Sequence, residues 1–189
     1  MSEVFDLKSA AIILHLIGVV IGAGGAYVSD FLYIKSTKDG SLDVKELRTL
    51  RRASKIVWFG LVILFASGII LFSLNPAVYA ASSKFLTKMA VVGVLTLNGF
   101  LFHFVHMPVL HRTTDGKLFR SKEFLRKGSI IYASGAVSIV SWTSAIVLGF
   151  LRSIPYTFAQ AFGVYLLIVA VAIVGALIQF RFLSKKEKN

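Results

Sequence analysis

The sequence predicts an all-α integral membrane protein with five transmembrane helices. Hydrophobic residues make up 56% of the 189 residues, and the mean hydropathy is +0.77, which is more apolar than an ordinary soluble domain. These residues are concentrated in long segments instead of alternating with polar residues in amphipathic periods. We therefore expect residues 1–189 to form a single transmembrane domain.

Five apolar segments are long enough to cross a bilayer. Each has about 19 residues or more, which spans a hydrocarbon core of roughly 30 Å. They are Ser9–Ile34, Ile56–Leu74, Phe85–Leu110, Ser129–Leu151 and Tyr156–Leu183. Acidic Glu3 and Asp6 precede the first segment, where a signal peptide would carry basic residues, so this segment is expected to stay in the mature protein.

The lysine and arginine residues predict the orientation of these helices. Seventeen of the 21 lie after the first segment, after the third segment or near the C-terminus. The other four are Lys8, Lys84, Lys88 and Arg152. The positive-inside rule then predicts a multi-pass protein of the cytoplasmic (inner) membrane, with the N-terminus outside and the C-terminus in the cytoplasm.

Charge and composition limit the partners. The net charge is +12 and the isoelectric point is about 10.1. Because the basic residues flank the apolar segments, we expect them to contact membrane lipids and not nucleic acid. The chain has no cysteine, which excludes disulfides, thiolate-held iron–sulfur clusters and c-type haem attachment. A bound metal would need histidine, methionine, carboxylate, amide or lysine ligands.

An internal similarity predicts two related helical hairpins. Ser36–Leu42 resembles Arg112–Leu118 at an offset of 76 residues. We therefore expect tandem hairpins at 9–74 and 85–151, which form a four-helix bundle to which the fifth helix is added. Convergence is the alternative, because Asp-Gly turns and small residues recur in membrane proteins.

Part of the region between the first two apolar segments is predicted to be helical and to extend the second helix. Ser41 would cap a helix over residues 43–55 that continues into the apolar segment. Leu42, Leu47 and Leu50 would then lie at the membrane interface. This extension is expected to have a structural role.

The first segment carries a histidine beside a row of glycines. His15 is followed on the same helix face by Gly18, Gly22 and Gly25, at three- and four-residue spacing. The glycines either let another helix approach closely or leave room for a flat macrocycle whose iron His15 binds. The glycines alone favour the helix contact. The histidine favours the macrocycle, because an imidazole in an apolar environment requires a partner.

Depth in the bilayer indicates which polar groups can meet. His15 lies about 9 Å and Lys88 about 15 Å outward of the bilayer centre, whereas His103 lies roughly 8 Å inward. Lys88 is therefore the nearest polar match to His15, and a His15–His103 pair on one iron is unfavourable. The alternative for Lys88 is extension to the headgroups, which is common for a lysine in the first turn of a membrane helix.

Other polar residues follow the third segment. His103 and His106 are three residues apart and are expected to share a face, and His106 lies five α-helical turns beyond Lys88. With Asn98 at mid-membrane, this line predicts a second cofactor site or a proton path, and interfacial anchoring is the alternative. Asp30 is expected to pair with cations of the loops.

The run from His15 to Gly25, HLIGVVIGAGG, resembles the first helix of HemJ-type protoporphyrinogen oxidases and the related CopD-like membrane proteins. Those families also carry a lysine that opens a later apolar helix, and this lysine corresponds to Lys88. The resemblance is confined to the first helix and the start of the third. It implies a haem b protein near a quinone pool, with His15 and Lys88 as the matched positions. Asp30 stands in a run where an arginine is expected, which leaves the substrate open.

Three classes of function remain. The first is a b-type haem redox protein, acting in electron transfer or as an oxidase, with a quinone or a redox protein as partner. Its predicted cofactor-binding residues are His15, Lys88, Gly18, Gly22, Gly25, Asn98, His103 and His106, of which His15 and His106 are the predicted metal ligands. The second is a small transporter or channel, and the third is a structural membrane subunit. No hydrolase triad, phosphate-binding loop or zinc-finger spacing is present.

Overall fold

The protein is described by a computed structural model that covers residues 6–38, 40–113 and 118–186. Its helices are α1 (Leu7–Lys38), α2 (Val44–Leu74), α3 (Pro76–Ala80), α4 (Ser83–Leu101), α5 (Met107–Arg112), α6 (Lys122–Phe150) and α7 (Phe158–Lys186). A π-helical turn, Phe102–His106, joins α4 to α5, and a 3₁₀ turn, Leu118–Arg120, precedes α6.

Five of these helical spans are long and apolar enough to cross a membrane. They are α1, α2, the combined span Ser83–Arg112, α6 and α7. The predicted all-α membrane architecture with five transmembrane helices is therefore confirmed. The two loops that precede α2 and α6 lie at the same end as the C-terminus of α7, and we call this the basic end.

The closest helix contact is between α1 and α2. A Cβ atom built on Gly60 of α2 would lie 2.4 Å from the backbone nitrogen of Gly22 and 2.9 Å from the carbonyl oxygen of Gly18. The two backbones therefore touch directly, as small residues allow in membrane bundles. Helix α6 packs on α1 and α4, and α7 packs on α6 and α4. In contrast, the backbones of α2 and α4 hardly approach each other, and these helices meet through aromatic side chains.

Helix α2 begins with a capping box. The Asp43 carboxylate accepts a hydrogen bond of 2.6 Å from the Val44 backbone, and the Asp43 backbone donates one of 3.0 Å to Glu46. The helix then continues without a break to Leu74, which confirms the predicted extension. The predicted cap was wrong: a capping box needs a Glu or Gln three residues on, and Asp43 has one whereas Ser41 does not.

The main hydrophobic core lies at the basic end. Leu42, Leu47 and Leu50, predicted at the membrane interface, are instead buried in it, with at most 4% of their surface exposed. They pack with aromatic and aliphatic side chains of α5, α6 and α7. The Leu118 backbone also donates a 2.8 Å hydrogen bond to the Gly40 carbonyl. Leu42 of the loop and the first turns of α2 are thus covered by protein.

The two halves of the predicted repeat share one local feature. Thr37 donates hydrogen bonds to the carbonyls three and four residues before it, at 3.0 and 2.9 Å. Thr113, 76 residues later, does the same at 3.0 and 2.9 Å. The turn residues Asp39, Asp115 and Gly116 lie outside the described residues, as does Glu3. The duplication therefore stays a prediction.

Candidate functional site

An imidazole, an amine and a hydroxyl meet in the half of the bundle away from the basic end. His15 Nε2 of α1 lies 3.0 Å from Lys88 Nζ of α4, and His15 Nδ1 lies 2.9 Å from Ser67 Oγ of α2. Three spans therefore contribute one group each. The expectation that Lys88 is the polar neighbour of His15 is confirmed, and the lysine is directed at the imidazole.

The hydrogen-bond network assigns the tautomer of His15. Ser67 Oγ donates its single proton to the Ile63 carbonyl, at 2.7 Å. Its contact with His15 must therefore be one in which Nδ1–H donates and the hydroxyl accepts. Nε2 is then left with its lone pair, which accepts from the Lys88 amino group. In this arrangement the imidazole is neutral, and the Nε2 lone pair that accepts from Lys88 is directed away from α2.

A mostly apolar cavity of about 320 Å³ adjoins this lone pair. We call it the His15 cavity, and it occupies the gap between α2 and α4. The lining residues besides His15 and Lys88 are Val19, Leu61, Leu64, Phe65, Gly68, Ile69, Phe72, Phe85, Met89, Val92, Leu95, Trp142 and Ala145. Its volume lies in the range of small-molecule and cofactor sites, about 300–1,000 Å³.

A second cavity of about 410 Å³ continues from the first towards the end of the bundle opposite the basic end. His15, Gly68 and Lys88 line both cavities. The second, which we call the entrance cavity, also carries two cations, Lys84 and Arg152. The Lys84 amino group donates to the Leu151 carbonyl. An apolar interior with a cationic entrance suits an amphiphilic ligand that carries anionic groups.

Three aromatic rings lie between the apolar interior and the entrance. Phe72 stacks on Phe85 with ring centroids 5.5 Å apart, and Tyr79 contacts both rings, at 6.4 and 5.3 Å. Tyr79 comes from the short helix α3, which Pro76 opens. Helix α3 therefore positions one edge of the site.

The glycines of α1 contact protein and do not line the His15 cavity. A Cβ atom on Gly22 would lie 2.4 Å from the Trp142 ring, and one on Gly25 would lie 3.2 Å from Ile56 and from Val57. One on Gly18 would lie 3.0 Å from a side chain of α2. The predicted space for a macrocycle over these glycines is thus filled, which is a correction in favour of helix packing.

Two residues of the site had no clear signal in the sequence. Ser67 and Gly68 lie on α2, where Gly68 has His15 Cε1 as its nearest neighbour, 3.9 Å from an added Cβ. Gly68 therefore supplies the open space beside the imidazole that the α1 glycines were expected to supply. Small and hydroxyl residues are frequent in membrane helices, so neither position is distinctive in the sequence.

The histidines of the third span lie apart from this site and from each other. His106 is 1% exposed, whereas His103 is exposed on the surface of the bundle. The predicted shared face was wrong, because both residues lie in the π-helical turn, which holds an extra residue and rotates the register. For the same reason His106 does not continue the line of Lys88, and it does not line the His15 cavity.

Asn98 and Asp30 line a separate, smaller cavity of about 60 Å³ in the middle of the bundle, which we call the Asp30 cavity. Asn98 exchanges two hydrogen bonds with Ser134 of α6, at 3.1 and 2.7 Å.

The ion pairs found among the described residues join Glu123 to Arg112 and Lys127. The expected pairing of Asp30 with loop cations was therefore wrong for the part of the chain that the structure describes.

An apolar septum separates the two cavities. Leu61, Leu95 and Trp142 line both of them, and each is at most 4% exposed. The His15 cavity and the Asp30 cavity are therefore distinct sites on either side of these three side chains.

Comparison with known proteins does not add to this picture. No family model, curated protein or solved structure matches the chain.

His15 and Lys88 suit a metal that is already held in a macrocycle, such as haem iron, better than a free metal ion. Among residues 6–38, 40–113 and 118–186, no three histidine or carboxylate side chains group together as a metal site. A haem iron already has four ring nitrogens and needs only axial ligands. His15 Nε2 and Lys88 Nζ, 3.0 Å apart, cannot both bind one iron as they stand, since two bonds of about 2 Å need a gap of about 4 Å. His15 alone fits, provided that the flexible lysine turns aside.

Proposed function

We propose that this chain is a membrane redox protein that binds a b-type haem in the His15 cavity, with His15 Nε2 as the axial ligand. The observation that carries the proposal is the fixed orientation of this imidazole. Its Nδ1–H is held by Ser67, and its lone pair borders an apolar cavity of cofactor size. Metal-binding histidines usually donate a hydrogen bond from the N–H of their second ring nitrogen to a fixed acceptor in this way.

Lys88, Lys84 and Arg152 are the groups that would contact the anionic side chains of the haem. All three line the entrance cavity, and none has an acidic partner among the ion pairs of the described residues. A cation within a low-dielectric site binds a carboxylate strongly. The haem itself would supply one-electron chemistry, and the protein would orient it and keep water away.

A quinone or a redox protein would exchange electrons with this site. The gap between α2 and α4 favours a lipid-soluble electron partner. Exposed apolar side chains such as Ile69 and Met89 line both this gap and the His15 cavity. A quinone dissolved in the bilayer can reach such a gap without crossing a polar surface.

The separation of the cavities favours cofactor binding over conduction. A channel needs a continuous polar path, whereas Leu61, Leu95 and Trp142 close the space between the two cavities. The polar groups of the His15 cavity also converge on one point instead of forming a row along it. Both features support a binding site that holds one molecule in a fixed position.

Replacing Ser67 with alanine is expected to lower the affinity for haem about 10–100-fold, as loss of the hydrogen-bond acceptor of a metal-binding histidine typically does. The Nδ1–H of His15 would lose its acceptor, so the imidazole would no longer be fixed in the ligating tautomer. Titration of the detergent-solubilised protein with haem, followed by absorbance, measures the change. Ser73→Ala is the matched control, because Ser73 lies on the same helix and bonds only to the Ile70 carbonyl. Equal affinities for both variants would contradict the assigned role of Ser67.

We also propose that the basic end faces the cytoplasm, with the N-terminus outside, in the cytoplasmic membrane. Because the chain has no cysteine, single introduced cysteines report the orientation cleanly. Ser153→Cys is expected to react with a membrane-impermeant maleimide in intact cells, and Ser41→Cys only after lysis. Both positions are exposed, at opposite ends of the bundle. Labelling of Ser41→Cys in intact cells would show that the protein has the opposite orientation.

A further inference from the structure

The polar atoms that lack hydrogen-bond partners are concentrated in the basic half of the bundle. Among the described residues, the buried side-chain atoms without a partner are Asp30 Oδ2, the hydroxyls of Tyr33 and Tyr132, and both ring nitrogens of His106. A buried polar atom without a partner is costly in lipid. Such atoms usually form hydrogen bonds to a buried water molecule or to a bound ligand.

Asp30 faces a cavity that is built from polar groups of four spans. The Asp30 cavity is lined by Ser29, Tyr33, Ser54, Asn98, Ser134 and Ser138, among other residues. Its volume of about 60 Å³ holds on the order of two to four water molecules. Each water needs two to four polar partners, and the carboxylate, the amide and the hydroxyls supply them.

Asp30 has no counter-charge in this cavity. No lysine, arginine or histidine is among its lining residues in the described part of the chain. The groups that face it are Tyr33 of α1, Ser54 of α2, Asn98 of α4, and Ser134 and Ser138 of α6. A carboxyl group in such surroundings is either protonated or bound to water or a cation.

A second cavity, which has a mostly apolar lining with a few polar groups, adjoins Asp30 on the side of α7. A cavity of about 220 Å³ is lined by Asp30, Tyr33 and Tyr132, and it reaches Gln179. The rings of Tyr33 and Tyr132 touch edge to face, with centroids 5.6 Å apart. Polar groups thus extend from mid-bundle towards the basic end, whereas the apolar septum closes the other direction.

We propose that the Asp30 cavity is a hydrated proton-binding site, in which the Asp30 carboxylate takes a proton from water that enters from the basic end and returns it by the same route. Uptake converts a hydronium ion and the carboxylate into water and a carboxyl group. Tyr33 and the hydroxyls of α2 and α6 hold the water that carries the proton. The site does not depend on a haem in the His15 cavity, from which the septum separates it.

Infrared spectroscopy tests this proposal on the full chain in lipid nanodiscs. Difference spectra between acidic and alkaline buffer are expected to show the C=O stretching band of a buried carboxyl group. The band should disappear in Asp30→Asn, shift in frequency in Asp30→Glu, and remain in Asp43→Asn, which replaces an exposed capping carboxylate by another good cap. Absence of such a band in the unmodified protein, or its persistence in Asp30→Asn, would overturn the proposal.

The same spectra distinguish a proton from a metal cation. Oxygen ligands such as carboxylate, amide and hydroxyl also suit Na⁺. Replacing choline by Na⁺ at constant pH is expected to leave the Asp30 band unchanged. Loss of the band on addition of Na⁺ would show that the cavity binds the metal cation in competition with the proton, and the hydrated proton site would be rejected.

Discussion

Replacing His15 with alanine is expected to abolish haem binding, with a loss of affinity greater than about 100-fold. Loss of a group that hydrogen-bonds to a metal ligand typically costs about 10–100-fold in affinity, and this change removes the ligand itself. Lys88 would also lose the acceptor that it contacts at 3.0 Å. Titration of the cofactor-free protein in detergent with haem, followed at the Soret band, measures the affinity of both forms.

His103→Ala is the matched control for this change. His103 also lies in a membrane span, but it is exposed and does not line the His15 cavity. Its replacement is expected to leave haem affinity within about twofold of the unmodified protein, since surface changes away from a site have small effects. Equal haem binding by the two variants would contradict the assignment of His15 as the ligand.

Replacing Gly60 with alanine is expected to lower the free energy of unfolding by about 3 kcal/mol, the upper end of the cost of overpacking. The added Cβ would lie 2.4 Å from the Gly22 nitrogen and 2.6 Å from the Gly22 Cα. These are backbone atoms of α1, so no side-chain rotation can relieve the contact. Equilibrium unfolding of the protein in mixed micelles by a denaturing detergent measures the change.

Gly24→Ala provides the comparison for Gly60→Ala. Gly24 lies on α1 like the glycines that α2 covers, but an added Cβ there meets nothing within 4 Å. This variant is expected to keep or slightly raise the stability, because alanine is the better helix former by about 1 kcal/mol. A similar loss of stability in both variants would mean that α1 and α2 do not touch through their backbones at Gly60.

The span architecture follows from the sequence because lipid imposes one dominant requirement. A helix must satisfy its own backbone and present apolar side chains over about 30 Å, so length and hydropathy suffice to find all five spans. The proximity of His15 and Lys88 follows from the same geometry. Depth along a helix is fixed by residue number, and few polar groups lie at that depth in the bundle.

The rotation of each helix could not be predicted in the same way. It is set by packing against neighbours, and here the contact of Gly60 with α1 turns Gly18 and Gly22 towards α2. The space beside His15 is therefore left by Gly68, on a helix whose sequence carries no histidine. A π-helical turn adds a second local change, since it separates His103 from His106 without any proline in the turn itself.

Asp30 shows how a general rule can fail for one residue. A carboxylate near the C-terminal end of a membrane helix opposes the helix dipole, which suggests a partner among the many loop cations. In the structure the hydroxyls and the amide of four spans surround it. The sequence does not reveal this, because the serines of α1, α2 and α6 and Asn98 of α4 converge on one cavity only after the helices pack.

The absorption spectrum of the unmodified protein tests the central claim most directly. Protein purified in detergent from haem-replete cells is expected to show a Soret band, with α and β bands that appear on reduction, and one haem per chain by extraction. A colourless preparation that also fails to bind added haem after reconstitution would contradict the account of the His15 cavity.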